Sequence, residues 1–181
     1  MAMRIIAGER RGVRLHPLRG TTVRPTGDRV REAIFNLVRD IERAHVLDAY
    51  AGTGALGLEA LSRGAERAVL VDSDARAVAL ARRNVEKVGL PGASVFNGTV
   101  EAHLRREAKR SNRYDLVLID PPYTEAARAM RTLSNLLPPV LAGNARVVVE
   151  TNRSLEPALP FEQETSRTYG STRVTIFQAP S

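Results

Sequence analysis

The chain has 181 residues, of which 43% are hydrophobic and 26% are charged, and it carries a formal net charge of +7. This length and apolar content exclude a disordered protein and suit one domain, or one domain with a small appendage. The absence of cysteine excludes a disulfide framework, a thiolate metal site and a catalytic thiol. Apolar runs are far shorter than the roughly 18 residues that cross a bilayer, and charges interrupt the N-terminal stretch, so we expect a cytoplasmic protein without membrane contacts.

The excess positive charge is concentrated at the start of the chain. Residues 1–31 contain eight arginines and two acidic residues, which gives +6 of the total +7. Arginine can bind a phosphate through two parallel hydrogen bonds, so a clustered excess of arginine predicts a nucleic acid partner. For the arginine excess of the whole chain, codon bias and an ordinary solvated surface remain alternatives.

The first segment of the chain predicts a small β-hairpin. Two short apolar pieces lie at 4–7 and 13–15, and Gly8 and Gly12 bracket the turn between them. Helical periodicity begins at Asp28, which is a plausible N-terminal cap. We therefore divide the chain into an Arg-rich hairpin extension at 1–24 and a second domain at 25–181.

From residue 45 onward, short apolar runs alternate with helical stretches. Several runs are continuously apolar, as expected when helices cover both faces of a parallel sheet. The segment 161–178 lacks a comparable helix and is expected to form an antiparallel pair at the sheet edge. Strands are predicted at 45–49, 68–72, 93–96, 114–119 and 146–150, and helices at 55–63, 74–89, 100–110 and 125–137.

A glycine-rich loop follows the first of these strands and precedes a helix. The spacing of Gly52, Gly54 and Gly57 satisfies the dinucleotide fingerprint, and Asp72 ends the next strand, where it can bind ribose hydroxyls. This pattern alone is equally compatible with NAD, and a glycine turn that only packs a helix is the alternative. A carboxylate at Asp48 would repel a pyrophosphate but suits the cationic S-adenosylmethionine. Asp48 could instead hold the loop through its amides, and the two roles are compatible.

The fourth predicted strand ends in Asp120, Pro121, Pro122 and Tyr123. The carboxyl ends of parallel strands meet at one sheet edge, so this tetrad and the glycine loop should face one crevice. A carboxylate and a carbonyl can hold the two hydrogens of an amine, and a tyrosine ring can stack on a base. The tetrad thus predicts a pocket for a flipped nucleobase with an amino group. The alternative is a stiff strand exit in which Asp120 caps a helix.

The motifs at 48–57, 72 and 120–123 resemble class I S-adenosylmethionine-dependent methyltransferases that act on amino groups. Further segments narrow the resemblance to the RsmD family, whose members are bacterial enzymes that methylate the 2-amino group of a guanine in 16S ribosomal RNA. These segments are residues 4–8, 11–12, 24–26, 28–36, 54–63 and 169–172. The resemblance covers nearly the whole chain. It implies a Rossmann-like α/β fold with a mostly parallel seven-stranded sheet, helices on both faces and an N-terminal hairpin extension.

The resemblance also implies roles for individual residues. The target base would lie against Asp120, Pro121, Pro122 and Tyr123. The cofactor S-adenosylmethionine would contact Asp48, Tyr50, Ala51, Gly52, Thr53, Gly54, Asp72, Ser73, Thr99, Val100 and Asp120. Thr99 stands where many methyltransferases have an acid that binds adenine, so backbone atoms of Val100 would make that contact. Ribosomal RNA would contact Arg4, Arg10, Arg11, Arg14, Arg24, Thr26, Arg29 and Arg31.

The expected chemistry is direct in-line transfer of a methyl group to the amine, without a covalent enzyme intermediate. The expected partner is 16S ribosomal RNA within a small-subunit assembly particle, bound by a monomer. His16, His45 and His103 share no ligand spacing, so no metal site is expected. Four alternatives remain, namely a DNA amino-methyltransferase, a glutamine-directed protein methyltransferase, a nicotinamide oxidoreductase and a non-catalytic ribosome-binding module.

Overall fold

A computed structural model describes residues 3–17 and 27–181. The predicted strands and helices from residue 45 onward are all present, and their ends differ from the predictions by at most one residue except in the fifth strand. In chain order the elements are α1 (Asp28–Val38), β1 (His45–Ala49), α2 (Ala55–Ser62), β2 (Arg67–Asp72), α3 (Ala75–Val88), β3 (Ala93–Asn97), α4 (Val100–Lys109), β4 (Tyr114–Ile119), α5 (Ala126–Leu136), β5 (Leu141–Asn152), β6 (Glu162–Tyr169) and β7 (Thr172–Gln178).

The seven strands form one mixed sheet in the order β3-β2-β1-β4-β5-β7-β6. Strands β1 to β5 pair in parallel, whereas β7 is antiparallel to both β5 and β6. The last segment therefore forms the predicted antiparallel pair, with β7 inserted between β5 and the edge strand β6. The parallel strands place the ends of β1, β2 and β4 side by side at one edge of the sheet, which is the edge that positions the site.

Helices cover both faces of the sheet and produce two apolar clusters. In β1, Val46 packs in the cluster that includes α2, and its neighbour Leu47 packs in the cluster that includes α4 and α5. The same alternation occurs in β4, where Leu116 and Val117 point to opposite clusters. Burial on both faces explains why these strands are continuously apolar in sequence.

The N-terminal segment packs on the domain. Its two halves pair antiparallel through one β-bridge, between Arg4 and Arg14, and through a hydrogen bond from the Ile5 N–H to the Val13 carbonyl of 2.9 Å. Ile5 and Leu15 are buried in the same apolar cluster as α1 and α2. A regular hairpin and the domain boundary at residue 24 stay predictions, since the pairing forms a single bridge and the boundary lies outside the described residues.

Within the described ranges, none of the helices is both long and apolar enough to cross a membrane. The same residues contain no group of three or more histidines, cysteines or acids placed to hold a metal ion. His103 is buried, and its Nε2 lies 2.8 Å from the hydroxyl of Tyr114. This histidine therefore has a packing role.

Candidate active site

The sheet brings the glycine loop and the tetrad together. β1 and β4 are parallel neighbours, and Ala49 pairs with Ile119 at their carboxyl ends. Asp120 directly follows this pair, and its N–H lies 3.5 Å from the carbonyl oxygen of Ala49. On the other side of β1, β2 ends at Asp72. The arrangement places three carboxylates, from Asp48, Asp72 and Asp120, around the start of the glycine loop.

Asp72 and the glycines fix the shape of that loop. The Gly52 N–H donates to Asp72 Oδ2 at 2.8 Å, and the Asp74 N–H donates to Asp72 Oδ1 at 2.9 Å. Gly52 has φ of 54°, and a side chain built on it would meet no atom within 4 Å, so open space lies in front of this backbone. Gly54 has φ of 78°, and a side chain there would collide with Leu70. Gly52 thus provides access for a ligand, whereas Gly54 allows α2 to pack on β2.

Asp48 lies beneath the loop and is almost fully buried. Its Oδ2 accepts a hydrogen bond of 2.8 Å from the Gly57 N–H in the first turn of α2, where helix amides lack partners within the helix. Burial raises the pKa of Asp48 to about 7, and the negative charges of Asp120 and Asp72 also raise it. The hydrogen bond from Gly57 lowers this pKa but does not outweigh the effect of burial. Of the two roles predicted for Asp48, the structure shows the hydrogen bond that holds the backbone. A cationic ligand bound nearby would favour the ionised form of Asp48.

The raised pKa of Asp48 predicts a pH-dependent stability. Because the folded state holds a proton on Asp48 up to about pH 7, and the unfolded chain releases it near the ordinary pKa of about 3.9, stability is lost as pH rises between these values. Asp48→Asn should therefore melt several °C above the unsubstituted protein at pH 8, since about 1 kcal/mol corresponds to about 2–4 °C for this chain length. The difference should shrink towards pH 5.

Thermal melts of the ligand-free protein from pH 5 to pH 8 measure this difference. The control is Asp115→Asn, because Asp115 is exposed at the other end of β4 and accepts the His45 N–H. A difference between the Asp48→Asn variant and the unsubstituted protein that is the same at pH 5 and at pH 8 would contradict the expectation.

A cavity of about 440 Å³ opens beside the glycine loop. Its lining includes five of the predicted cofactor residues, namely Tyr50, Asp72, Ser73, Thr99 and Val100. Sequence reasoning missed the rest of the lining, which comes from α4 and α5. These residues are Glu101, Arg105, Glu125, Arg128, Ala129 and Thr132.

Thr99, which stands where many methyltransferases have an acid, has a structural role at the start of α4. Thr99 is the N-terminal cap of α4, and its hydroxyl accepts the Ala102 N–H at 3.2 Å. Glu101, two residues later, supplies a carboxylate to the cavity. The sequence did contain a signal for Glu101, because an acid in the first turn of a helix that starts at the carboxyl edge of the sheet lies close to a ligand bound there.

The tetrad presents an aromatic ring at the same edge. Pro121 is buried, whereas Pro122 and Tyr123 are exposed, and Tyr123 is the one exposed large hydrophobic residue among those described. Its hydroxyl lies 3.5 Å from Thr172 Oγ1 at the start of β7. The N-terminal cap position of α5 is Glu125, so the alternative in which Asp120 caps this helix is wrong.

This set of groups fits S-adenosylmethionine. The open backbone at Gly52 allows close approach, and Asp72 lines the cavity with a carboxylate that can accept hydrogen bonds from ribose hydroxyls. The acidic groups at this edge favour a positively charged sulfonium and amino group, and such a cation in turn favours the ionised form of Asp48. A pyrophosphate would be repelled by the same carboxylates. The site therefore favours the adenosylmethionine class of ligand over NAD.

The sequence model of the family described as conserved hypothetical protein 95 matches residues 3–178. The chain is 36% identical over 182 residues to a Bacillus subtilis protein named "Putative rRNA methyltransferase YlbH", covering 97% of this chain and 98% of the relative. It is 35% identical to ribosomal RNA small subunit methyltransferase D of Haemophilus influenzae, over 83% of this chain and 79% of the relative. The chain belongs to the RsmD family. A solved structure of a hypothetical protein from Thermus thermophilus is 32% identical, superposes with a TM-score of 0.84 and covers 97% of this chain and 99% of its own.

Membership of the RsmD family confirms the resemblance drawn from the motifs, and it directs attention to the arginines at the N-terminus. Arg4, Arg11, Arg14 and Arg29 are exposed, and Arg10 is half-buried. Arg4 Nε lies 3.7 Å from Asp28 Oδ2. Two predicted RNA contacts, Arg24 and Thr26, lie outside the described residues. The exposed arginines are available to a polyanion, and their RNA contacts stay predictions.

The structure corrects one of these assignments. Arg31 is fully buried, so its guanidinium is not available to an RNA phosphate. Its Nη2 donates to the Arg4 carbonyl at 2.6 Å and to Asp28 Oδ1 at 2.9 Å. Arg31 therefore joins α1 to the N-terminal segment. Helical periodicity was the signal that could have shown this, because Arg31 precedes the buried residue Ile34 by three positions.

A second buried anchor, also missed from the sequence, holds the same segment. Glu59 of α2 is fully buried and accepts the Ile6 and Ala7 N–H groups at 2.7 and 3.0 Å. Its Oε1 also accepts from Arg63 Nε at 2.7 Å. Since α2 begins at the glycine loop, these bonds attach the Arg-rich segment to the element that follows the cofactor site.

Proposed function

We propose that this RsmD-family protein methylates the 2-amino group of a guanine in 16S ribosomal RNA, with S-adenosylmethionine as methyl donor. The observation that carries the proposal is the tetrad Asp120, Pro121, Pro122 and Tyr123 beside a glycine loop surrounded by three carboxylates. A cationic cofactor and an amino-bearing base can therefore meet at one sheet edge. Names of relatives as rRNA methyltransferases support the RNA substrate.

The cofactor supplies a methyl group on a positively charged sulfur. On the protein side, the loop from Tyr50 to Gly54 contacts the methionine part, and Asp72 accepts hydrogen bonds from the ribose hydroxyls. Ser73, Thr99 and Val100, which line the cavity, are assigned to the adenine. Asp48 holds the loop through the Gly57 N–H, and Asp120 lies beside the cofactor but acts mainly on the target base. In this assignment Glu101 provides the carboxylate that Thr99 does not.

The target guanine leaves its stack and enters the space between Asp120 and Tyr123. Asp120 and the Pro121 carbonyl accept the two hydrogens of the 2-amino group and orient its nitrogen. The exposed Tyr123 ring stacks on the base, which contributes about 1–3 kcal/mol. As the nitrogen takes the methyl group, positive charge develops on it, and Asp120 stabilises that charge. The nitrogen then releases one proton to the Asp120 carboxylate, which leaves a neutral methylated amine. Positioning and electrostatics together are sufficient without a covalent enzyme intermediate.

The exposed arginines of the N-terminal segment bind the phosphate backbone. Arg4, Arg11 and Arg14 lie on the paired segment that packs along α2. We further propose that a monomer acts on a small-subunit assembly particle, because a ribosomal particle presents a folded RNA surface with many phosphates to this basic segment.

A deletion strain tests this function. Mass-spectrometric mapping of its 16S ribosomal RNA should lack one N2-methylguanosine, and expression of the unsubstituted protein should restore it. An Asp120→Ala protein, expressed at the same level, should not restore it. Unchanged methylguanosine in the deletion strain would contradict the guanine assignment. A methyl group lost from another RNA or from DNA would instead support an amino-methyltransferase with a different target.

A further inference from the structure

A row of basic side chains lies along one side of α3. Arg76, Arg83 and Lys87 are all exposed and lie at positions i, i+7 and i+11. At roughly 100° per residue these positions fall within about 40° of one another and span about 16 Å of the helix. The row begins just after Asp72, so it starts at the edge of the sheet that holds the cofactor cavity.

Asn84 fixes the N-terminal segment beside this row. It is fully buried, and its side chain bonds the backbone of His16 in both directions, accepting the N–H at 2.7 Å and donating to the carbonyl at 3.2 Å. The same amide donates to the Thr53 carbonyl in the glycine loop at 2.9 Å. One buried side chain therefore sets the spacing between the N-terminal segment, α3 and the cofactor loop.

The basic groups of the two elements are close enough to interact. The pKa of His16 lies below its ordinary value, mainly because of the positive charge of Lys87, with a further contribution from Arg83. Arg14, two residues before His16, is exposed. We call the group Arg14, His16, Arg76, Arg83 and Lys87 the α3 basic surface. Among the described residues, its one ion pair joins Arg76 to Asp74 at 3.7 Å. Arg76 is largely exposed and Asp74 is partly exposed, so the pair contributes little.

We propose that the α3 basic surface binds the RNA backbone that leads to the target nucleotide. The proposal rests on the proposed function, in which RNA is the substrate. It places phosphate contacts on α3, a helix to which the sequence analysis assigned no role in RNA binding. Like charges held close together repel one another, and a bound polyanion relieves that repulsion. Because the row starts at the carboxyl edge of the sheet, an RNA strand bound along it would lead to the edge that holds the cavity.

The test compares two double variants that remove the same charge. Arg83→Ala/Lys87→Ala removes two members of the α3 basic surface. The control, Arg82→Ala/Arg113→Ala, removes one exposed arginine from another side of α3 and one that lies just before β4 at the opposite edge of the sheet. The probes are a 16S ribosomal RNA transcript and small-subunit particles from the deletion strain, and binding is measured by fluorescence anisotropy at several salt concentrations.

For Arg83→Ala/Lys87→Ala, RNA affinity should fall about tenfold, and the slope of log affinity against log salt should decrease by about 1.4–1.8, for two phosphate contacts at about 0.7–0.9 each. The KM for particles should rise, with unchanged affinity for S-adenosylhomocysteine. Because Lys87 lies in the last turn of α3, thermal midpoints are measured so that a loss of helix stability is recognised.

Equal RNA affinities of the two double variants would overturn the proposal. The proposal would also be overturned if Arg83→Ala/Lys87→Ala lost heparin binding but kept its KM for particles, because that result indicates a surface that binds polyanions non-specifically. Failure of the proposed function looks different, because the unsubstituted protein itself would then methylate neither transcript nor particle.

Discussion

Replacing Asp120 by Ala is expected to lower the single-turnover rate of methyl transfer by roughly 10³-fold, the upper range for loss of one preorganised electrostatic contact. The affinity for S-adenosylhomocysteine should stay within about threefold of that of the unsubstituted protein. This change in binding free energy is smaller than about 1.4 kcal/mol, which corresponds to tenfold. This separation follows from the position of Asp120, which begins the tetrad at the end of β4, whereas the cavity lies mainly against β2, α4 and α5.

The physical reason for the large effect is that Asp120 acts on the reacting nitrogen. The lone pair of a guanine 2-amino group is delocalised into the ring, so the amine is a poor nucleophile until its hydrogens are held and polarised. A carboxylate does this more strongly as positive charge develops, which stabilises the transition state more than the bound substrate. Alanine removes both the acceptor and the charge.

Two further variants make the result specific. Asp120→Asn keeps the shape but presents an amide N–H group to the amine, so it should also lose most of the activity. Asp115→Ala removes an exposed carboxylate at the opposite end of the same strand and should retain nearly full activity. Parallel loss of methyl transfer and cofactor affinity in Asp120→Ala would show that Asp120 binds the cofactor and does not orient the base.

The sequence was sufficient to place the candidate site residues together because parallel strands share a carboxyl edge. The glycine spacing, Asp72 and the tetrad each follow a predicted strand, and strand order places them together. The fifth strand shows where this reasoning is incomplete. β5 begins at Leu141, although Gly143 and Asn144 interrupt the apolar pattern and Asn144 has φ of 60°. Leu141 pairs with β4, the register then shifts, and regular pairing with β4 and β7 starts at Arg146. Gly143 and Asn144 therefore lie in an irregular stretch of the strand.

Charged residues are the other class that the sequence did not place. Arg31 and Glu59 are both fully buried, although composition alone assigns them to the surface. Each is buried because it satisfies backbone groups of the N-terminal segment, and such partners become known only when the tertiary structure brings them together. Glu101 carried a sequence signal, its place in the first turn of a predicted helix, but its position in the lining of the cavity depends on the direction in which α4 leaves the sheet.

Replacing Asp72 by Ala should weaken the binding of S-adenosylhomocysteine by roughly 10²-fold or more, since hydrogen bonds to a charged group contribute about 1.5–3 kcal/mol each. Asp72 accepts the Gly52 N–H at 2.8 Å, and each carboxylate oxygen has a further lone pair for a ribose hydroxyl. The substitution therefore removes the ribose acceptors and also releases the backbone of the glycine loop.

Asp74→Ala is the matched control, because it removes the same charge two residues away. Asp74 caps α3 by accepting the Arg76 N–H at 2.8 Å, so its loss should cost about 1 kcal/mol of stability without changing the affinity for the ligand. Calorimetric titration of both variants with S-adenosylhomocysteine, beside a titration of the unsubstituted protein with NAD, gives the comparison. The Asp72 carboxylate binds both the loop and the ribose. Asp72→Asn should therefore bind S-adenosylhomocysteine more tightly than Asp72→Ala, because its amide oxygen can still accept a hydrogen bond from the Gly52 N–H. Equal weakening in Asp72→Ala and Asp74→Ala would assign the effect to α3 stability and move the ribose site elsewhere in the cavity.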